Sequence, residues 1–313
     1  MLEESPKILV DQEEKSINKN SKTTIMTNIL ITGATGNVGI EVISALKKLN
    51  YPIELFAGVR DTKSGNEKLV NFKVKTIQFD FTNSETFNNA FQNIDILFLL
   101  RPPQISDVNK YFAPLIKAAK QAAIKHIVFL SVQGVEKSKI IPHYKIEKLI
   151  VESEIPYTFL RPAYFMQNFT TTLHDDLINN HSIYLPAGDA KFTVIDVTDI
   201  GAVAAKVIIE PENHSNKSYE LTNNETLTFT EMAAKISNGI GKTITFVSPN
   251  LLQFYFTKRK EKMPAMLILV MIMLHYFPRF QTTPKTTNWV KIITGNEPKS
   301  FDEFVALNRK ELQ

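Results

Sequence analysis

The stretch "ILITGATGNVG", Ile29–Gly39, decides how the rest of the chain is read. An apolar run ends at Thr32, and glycines follow at positions 33, 36 and 39. A short strand that turns through glycines into a helix presents backbone N–H groups at the helix N-terminus, and that is an anion site. In this reading Gly33 permits the tight turn, Gly36 lets the backbone approach a pyrophosphate, and Gly39 lets the helix pack on the strand. Ala34, Thr35, Asn37 and Val38 complete the loop. The glycine spacing alone is weak evidence. It gains force at the first strand–helix junction of an alternating chain.

Such alternation runs outward from it. "NVGIEVISALKKLN" has helical spacing through Val38, Val42, Ala45, Leu46 and Leu49. "IELFAGVR" and "VKTIQFDF" read as the second and third strands, with a short helix around "SETFNNAFQN". "IDILFLLRPP" shows no alternation, as expected of a strand buried on both faces. "VNKYFAPLIKAAKQAAI", "HIVFLSVQG", "IEKLIVES" and "YTFLRP" continue the helix–strand order. Strands and helices in that order make parallel units with right-handed crossovers. The expected fold is α/β, a Rossmann-type doubly wound parallel sheet with a smaller, mainly helical C-terminal substrate domain. The expected boundaries are a disordered tail at 1–26, a dinucleotide-binding domain at 27–168, and the smaller domain at 169–313. Segments at about 193–222, the helix "IDVTDIGAVAAKVII" and the strand "KSYELTN", are expected to return to the sheet. "TFTEMAAKISNGIG" opens with a capping box, Thr228 to Glu231, and closes on glycine.

The tip of the second strand selects the cofactor. It reads "GVRDTK". An acidic residue there would bind the ribose hydroxyls of NAD, whereas arginine suits a 2′-phosphate through bidentate contacts. Arg60 at the tip and Lys63 close by point to NADP(H). Asp61 follows directly, so NAD(H) stands second.

The totals exclude much else. The chain has 313 residues, a formal net charge of +4 and no cysteine. That charge is too mild to argue for nucleic acid. Without cysteine there is no disulfide, thiol nucleophile or cysteine-held metal, which suits a reducing compartment. The polar N-terminal segment has neither the apolar region of a signal peptide nor the composition of a transit peptide. A cytoplasmic location is expected, with the nucleus as a second site. "AMLILVMIMLHYF", Ala265–Phe277, is almost wholly apolar but too short to span a bilayer, which takes about 20 such residues. It reads as a buried helix. A pocket or oligomer helix is the next reading and membrane contact the last, and no stable insertion is expected.

"ITGATGNVG", the terminal "VR" of the second strand, "FDF", "FLLRPP" and "IPYTFLRPAYFMQN" together resemble the NmrA-like family of atypical short-chain dehydrogenase/reductases. The resemblance runs from about Asn28 to the end and is closest through Asn168. It implies a contact set for the cofactor. Gly33 to Gly39 hold the pyrophosphate, and Arg60 to Lys63 the 2′-phosphate. Asp80 and Phe81 flank the adenine. Leu99, Leu100 and Arg101 pass the nicotinamide-side ribose, where Arg101 is an unusual residue. Tyr164, Phe165 and Asn168 close over the nicotinamide.

Hydride reduction needs a proton donor near the nicotinamide. Typical members of the superfamily use a tyrosine with a lysine four residues later, and Tyr144 and Lys148 have that spacing. Counted back from "SEIPYTFLRP", however, the lysine position falls on His143 and the tyrosine position on Lys139. The pair is therefore out of register, and His143 is the better candidate for catalysis or a ribose contact. Ser131, at the end of the fifth strand, is a further candidate for orienting a carbonyl. "LHDD", His174–Asp176, offers no convergent metal set, and no metal is expected. Asp196 and Asp199 read as caps.

The family contains NADPH-dependent quinone and azo reductases, and also NADP-binding regulators. The resemblance therefore implies an NADPH-dependent oxidoreductase acting on quinone-like or other small electrophilic acceptors, with a small planar substrate. The alternative is a non-catalytic redox sensor that reads the NADPH/NADP ratio and acts through a regulatory protein partner. A homodimer is compatible with either.

Overall fold

The computed structural model describes residues 26–49 and 51–313. The expected tail at 1–26 lies, apart from Met26, outside the described residues. Five strand–helix units come first. They are β1 (Thr27–Thr32) with α1 (Asn37–Lys48), β2 (Ile53–Val59) with α2 (Thr62–Leu69), and β3 (Lys75–Gln78) with α3 (Glu85–Phe91). Then come β4 (Ile96–Leu100) with α4 (Val108–Gln121) and β5 (His126–Leu130) with α5 (Pro142–Glu152). After β6 (Tyr157–Pro162) come β7 (Tyr164–Phe165), α6 (His174–Asn180), β8 (Ser182–Tyr184), β9 (Lys191–Ile195), α7 (Val197–Ile209), α8 (Pro211–His214) and β10 (Lys217–Leu221). The last part holds β11 (Thr226–Thr228), α9 (Phe229–Ile240), β12 (Thr245–Val247), α10 (Leu251–Lys260), α11 (Ala265–Tyr276), α12 (Trp289–Thr294) and α13 (Phe301–Leu307).

Seven of these strands form one sheet in the order β10-β6-β5-β4-β1-β2-β3, with every pairing parallel. The fold is therefore the doubly wound α/β sheet that the alternation predicts. β1 lies between β2 and β4, so the chain reverses its direction of winding there. Beyond the strand ends at such a switch point a crevice opens, and ligands bind in it. Ile29 to Ile31 are wholly buried, as are Leu97 to Leu99, which is the all-apolar pattern of a sheet covered on both faces.

One apolar layer packs α1 and α7 on one face, through Val42, Leu46, Val203 and Val207. The layer on the other face is built by α3, α4 and α5, through Phe87, Phe91, Phe112 and Ile146. A third cluster, with Phe169, Phe192, Phe229, Phe254 and Phe301, belongs to the later elements. Of the segment at 193–222, β10 joins the main sheet beside β6, with Tyr219 opposite Leu160. β9 instead pairs with β7 and β11 in a separate small sheet.

The reading of Ala265–Phe277 as a buried helix is corrected. The helix forms as α11, but only Ile268, Met271 and His275 of it are buried. Its apolar residues run all the way round, while only one stripe finds a packing partner.

Candidate functional site

The site begins with Thr32. Its hydroxyl donates to the Phe98 carbonyl at 3.1 Å and accepts from the Leu100 N–H at 2.9 Å. This clasps the ends of β1 and β4 where the ladder between them stops. Gly33 follows with φ +63°, in the left-handed region that favours glycine, and the Leu100 side chain packs against its open face. A Cβ at Gly39 would overlap the Gly33 carbonyl and lie 2.8 Å from Ala34 Cα. Gly39 thus packs helix on turn. It seats the start of α1 against Gly33 and Ala34.

Gly36 is the N-cap of α1, and no side chain caps the helix. No acidic residue lies in its first turn. Open N–H groups and the positive end of a twelve-residue helix therefore face the crevice. Ala34 is buried, Asn37 is exposed and Val38 is buried.

At the tip of β2, Arg60 is exposed. Asp61 turns inward on the chain: its carboxylate caps α2, accepting from Lys63 N at 2.8 Å and Ser64 N at 3.3 Å. The Lys63 side chain is exposed. After β3, Asp80 Oδ1 accepts from the N–H and the hydroxyl of Thr82, both at 2.8 Å, and so shapes its own turn. Phe81 is buried. Its ring stands edge-on to Phe79 at 5.0 Å and tilts against Phe112 at 5.5 Å. The ring thus packs into the apolar layer on that face of the sheet.

Arg101 is engaged by its own loop. Its Nη1 donates to the carbonyls of Pro102 at 3.0 Å, Pro103 at 3.1 Å and Ile105 at 2.7 Å. Through Nη1 the guanidinium organises the loop after β4. Its Nε donates to His143 Nε2 at 3.4 Å. The imidazole therefore carries its proton on Nδ1. Burial, and then the Arg101 charge, hold the His143 pKa down at about 3. At that value His143 stands as a neutral hydrogen-bonding group near neutral pH. Tyr144 and Lys148 do not pair, since Lys148 reaches Glu152 at 3.5 Å, one turn along α5.

Ser131 closes β5. Its N–H donates to Leu160 O at 2.7 Å, and its Oγ is buried without a hydrogen-bond partner. A buried hydroxyl left unpaired is costly unless a ligand or water meets it. The loop that follows is pinned. Gln133 accepts from the Thr193 hydroxyl at 2.6 Å and donates to Glu220 at 3.3 Å. Arg161 on β6 holds Glu147 of α5 with two hydrogen bonds, at 3.0 and 2.7 Å.

Tyr164 and Phe165 lie on β7, parallel to β9. The Tyr164 ring is walled by Phe169, Phe192 and Phe229, at 5.7 to 6.4 Å between centres. Burial pushes its pKa up, with Asn168 pulling it partly back. His275 of α11 stands over it, 3.2 Å from the phenol oxygen. The His275 Nδ1 lies 2.6 Å from the Met271 carbonyl and donates to it, so Nε2 accepts from the phenol. Burial lowers the His275 pKa to about 4.

His275 is the residue the sequence reading missed. The available signal was a single histidine inside an apolar run, since a buried polar group needs a partner. No group of His, Asp or Glu among the described residues could hold a metal ion. His174 lies 3.7 Å from Asp175, whereas Asp176 pairs with Lys258 at 2.6 Å.

The chain is similar to the prestalk A differentiation protein A of Dictyostelium discoideum, at 28% identity over 90% of this chain and 92% of that one. It is similar to the NAD(P)H azoreductase of Xenophilus azovorans, at 29% identity over 88% of this chain and 96% of that one. Among solved structures, the NADPH-dependent quinone oxidoreductase of Escherichia coli superposes with a TM-score of 0.77 at 25% identity, covering 89% of this chain and 98% of that one. No helix among the described residues is long and apolar enough to cross a membrane. Residues 26–282 match the NmrA-like family, and the chain belongs to it.

Proposed function

We propose that this protein is an NADPH-dependent oxidoreductase that reduces quinone-like or other small electrophilic acceptors. The observation that carries the reading is the uncapped start of α1 at the switch point of the sheet. The close packing of Gly39 on the Gly33 turn and the unpaired Ser131 hydroxyl fit a dinucleotide lying along the strand ends with an acceptor beside it.

The N–H groups of Asn37 to Gly39 hold the diphosphate, while the Gly36 N–H closes the turn onto the Gly33 carbonyl at 3.0 Å. Arg60 and Lys63 hold the 2′-phosphate, and Asp61 serves by fixing the turn that carries Lys63. The free oxygen of Asp80 accepts from the adenine amino group. The backbone of Leu99 and the side chain of Leu100 line the path of the ribose, and Arg101 keeps that loop in shape. His143 donates to the ribose from its Nδ1–H. Tyr164, Phe165 and Asn168 close the nicotinamide end.

The nicotinamide, when bound, supplies a hydride. One hydride and one proton convert a quinone to a hydroquinone and leave NADP⁺. The Ser131 hydroxyl orients the acceptor oxygen. Tyr164, half-buried on β7, offers the ring against which the acceptor rests, with the buried Phe192 and Phe229 packed behind it. The balancing proton comes from solvent, because His143 is neutral and its Nε2 is taken by Arg101.

The test is NADPH consumption against a panel of quinones, azo dyes and aldehydes. Saturable, protein-dependent consumption with at least one acceptor, reduced tenfold or more in Ser131→Ala, supports the reading. An inactive wild type across the whole panel refutes it.

A further inference from the structure

α11 grips the protein by one stripe and leaves the rest of its surface in water. Met266, Leu269, Met273, Leu274, Phe277 and Phe280 are 45% to 71% exposed. On the neighbouring α10, Leu252 and Phe256 are 71% and 60% exposed. An exposed apolar surface of this kind marks an interaction site.

The segment that carries this face is basic. From Lys262 to Asn296 the chain has no acidic residue. Glu261, just before, is taken by Lys258 at 2.8 Å. Arg259, Lys260 and Lys262 are exposed at the junction of α10 and α11, and Arg279 is exposed beyond the far end. An apolar helix face flanked by exposed cations suits a surface of acyl chains and anionic headgroups. A second copy of the chain is the poorer occupant. A two-fold contact places the same patch on both sides, so the cations would face cations. The helix has twelve residues, whereas spanning takes about 20, so it lies in the interface and does not cross it.

We propose that α10 and α11 form a docking surface for an anionic lipid bilayer. The inner stripe of α11 carries His275, which touches Tyr164. The docking face is therefore the outer side of the same helix that roofs the candidate site.

The experiment is flotation of the full chain with vesicles of phosphatidylcholine alone or mixed with phosphatidylglycerol. Binding is expected to the mixed vesicles, to weaken with added salt, and to be at least about tenfold lower on phosphatidylcholine alone. Met273→Glu is expected to abolish binding. Lys260→Ala with Lys262→Ala is expected to weaken it by roughly tenfold or more. Both changes lie at exposed positions, so unchanged thermal melting verifies folding. Wild type that stays off the mixed vesicles, or variants that bind as well as wild type, would overturn the proposal. So would a dimer that Met273→Glu turns into a monomer while vesicles recruit neither, which would assign the face to self-association.

Discussion

Arg60 and Arg101 carry the same fork of donors at the ends of neighbouring parts of the crevice, and the fold uses them differently. Arg101 is spent on three carbonyls and one imidazole of its own surroundings. Arg60 stays exposed at the tip of β2. A charge-assisted pair with a 2′-phosphate is worth about 1.5–3 kcal/mol, or roughly ten- to a hundredfold in affinity. Arg60→Ala is therefore expected to raise the NADPH dissociation constant by that factor while leaving NADH titrations nearly unchanged. Equal losses for both cofactors would remove Arg60 from the 2′-phosphate site. The position of Arg60 could be read from its place at a strand tip. The use of Arg101 could not, because its acceptors are set by how Pro102 to Ile105 fold back, and a sequence does not show that path. Asp61 is similar: its capping role depends on α2 starting at the next residue.

At the level of elements, the strands and helices of the sheet were legible because periodicity is local. Continuous apolar runs gave β4 and β5, and i, i+4 spacing gave α1. The contact between β7 and α11 was not legible, since Tyr164 and His275 are 111 residues apart. Nor was the exposure of α11, because apolar composition predicts burial only where a partner surface exists. The Tyr164–His275 bond gives a direct check. His275→Leu keeps the volume but leaves the phenol O–H without its acceptor, at a cost of about 1–3 kcal/mol. Adding Tyr164→Phe removes the unpaired group, so the double variant is expected to be less destabilised than the sum of the two single changes. Additive unfolding free energies would show that the bond contributes nothing.

The whole molecule buries several histidines in neutral form. His126, with Nε2 2.8 Å from the Thr158 hydroxyl, has its pKa lowered to about 4 by burial, as has His275. His143 is held at about 3. A histidine with a folded pKa below its unfolded value of about 6.5 takes up protons on unfolding. Stability is therefore full above pH 6.5 and falls as the pH drops toward 4. His126 and His275 should each contribute on the order of 3 kcal/mol to that fall. Denaturant unfolding at a series of pH values measures it, and a flat profile between pH 7 and 4 would contradict the buried neutral state.

The glycine turn and the switch point of the sheet are what the proposed reaction rests on. The most direct measurement is a single turnover. Protein loaded with one equivalent of NADPH is mixed anaerobically with a quinone, and nicotinamide absorbance and hydroquinone are followed together. The account predicts loss of NADPH in step with one equivalent of hydroquinone, at a rate that saturates with quinone concentration. Tightly held NADPH that no quinone, azo dye or aldehyde oxidises would contradict it, and would leave a protein that binds the cofactor without using it.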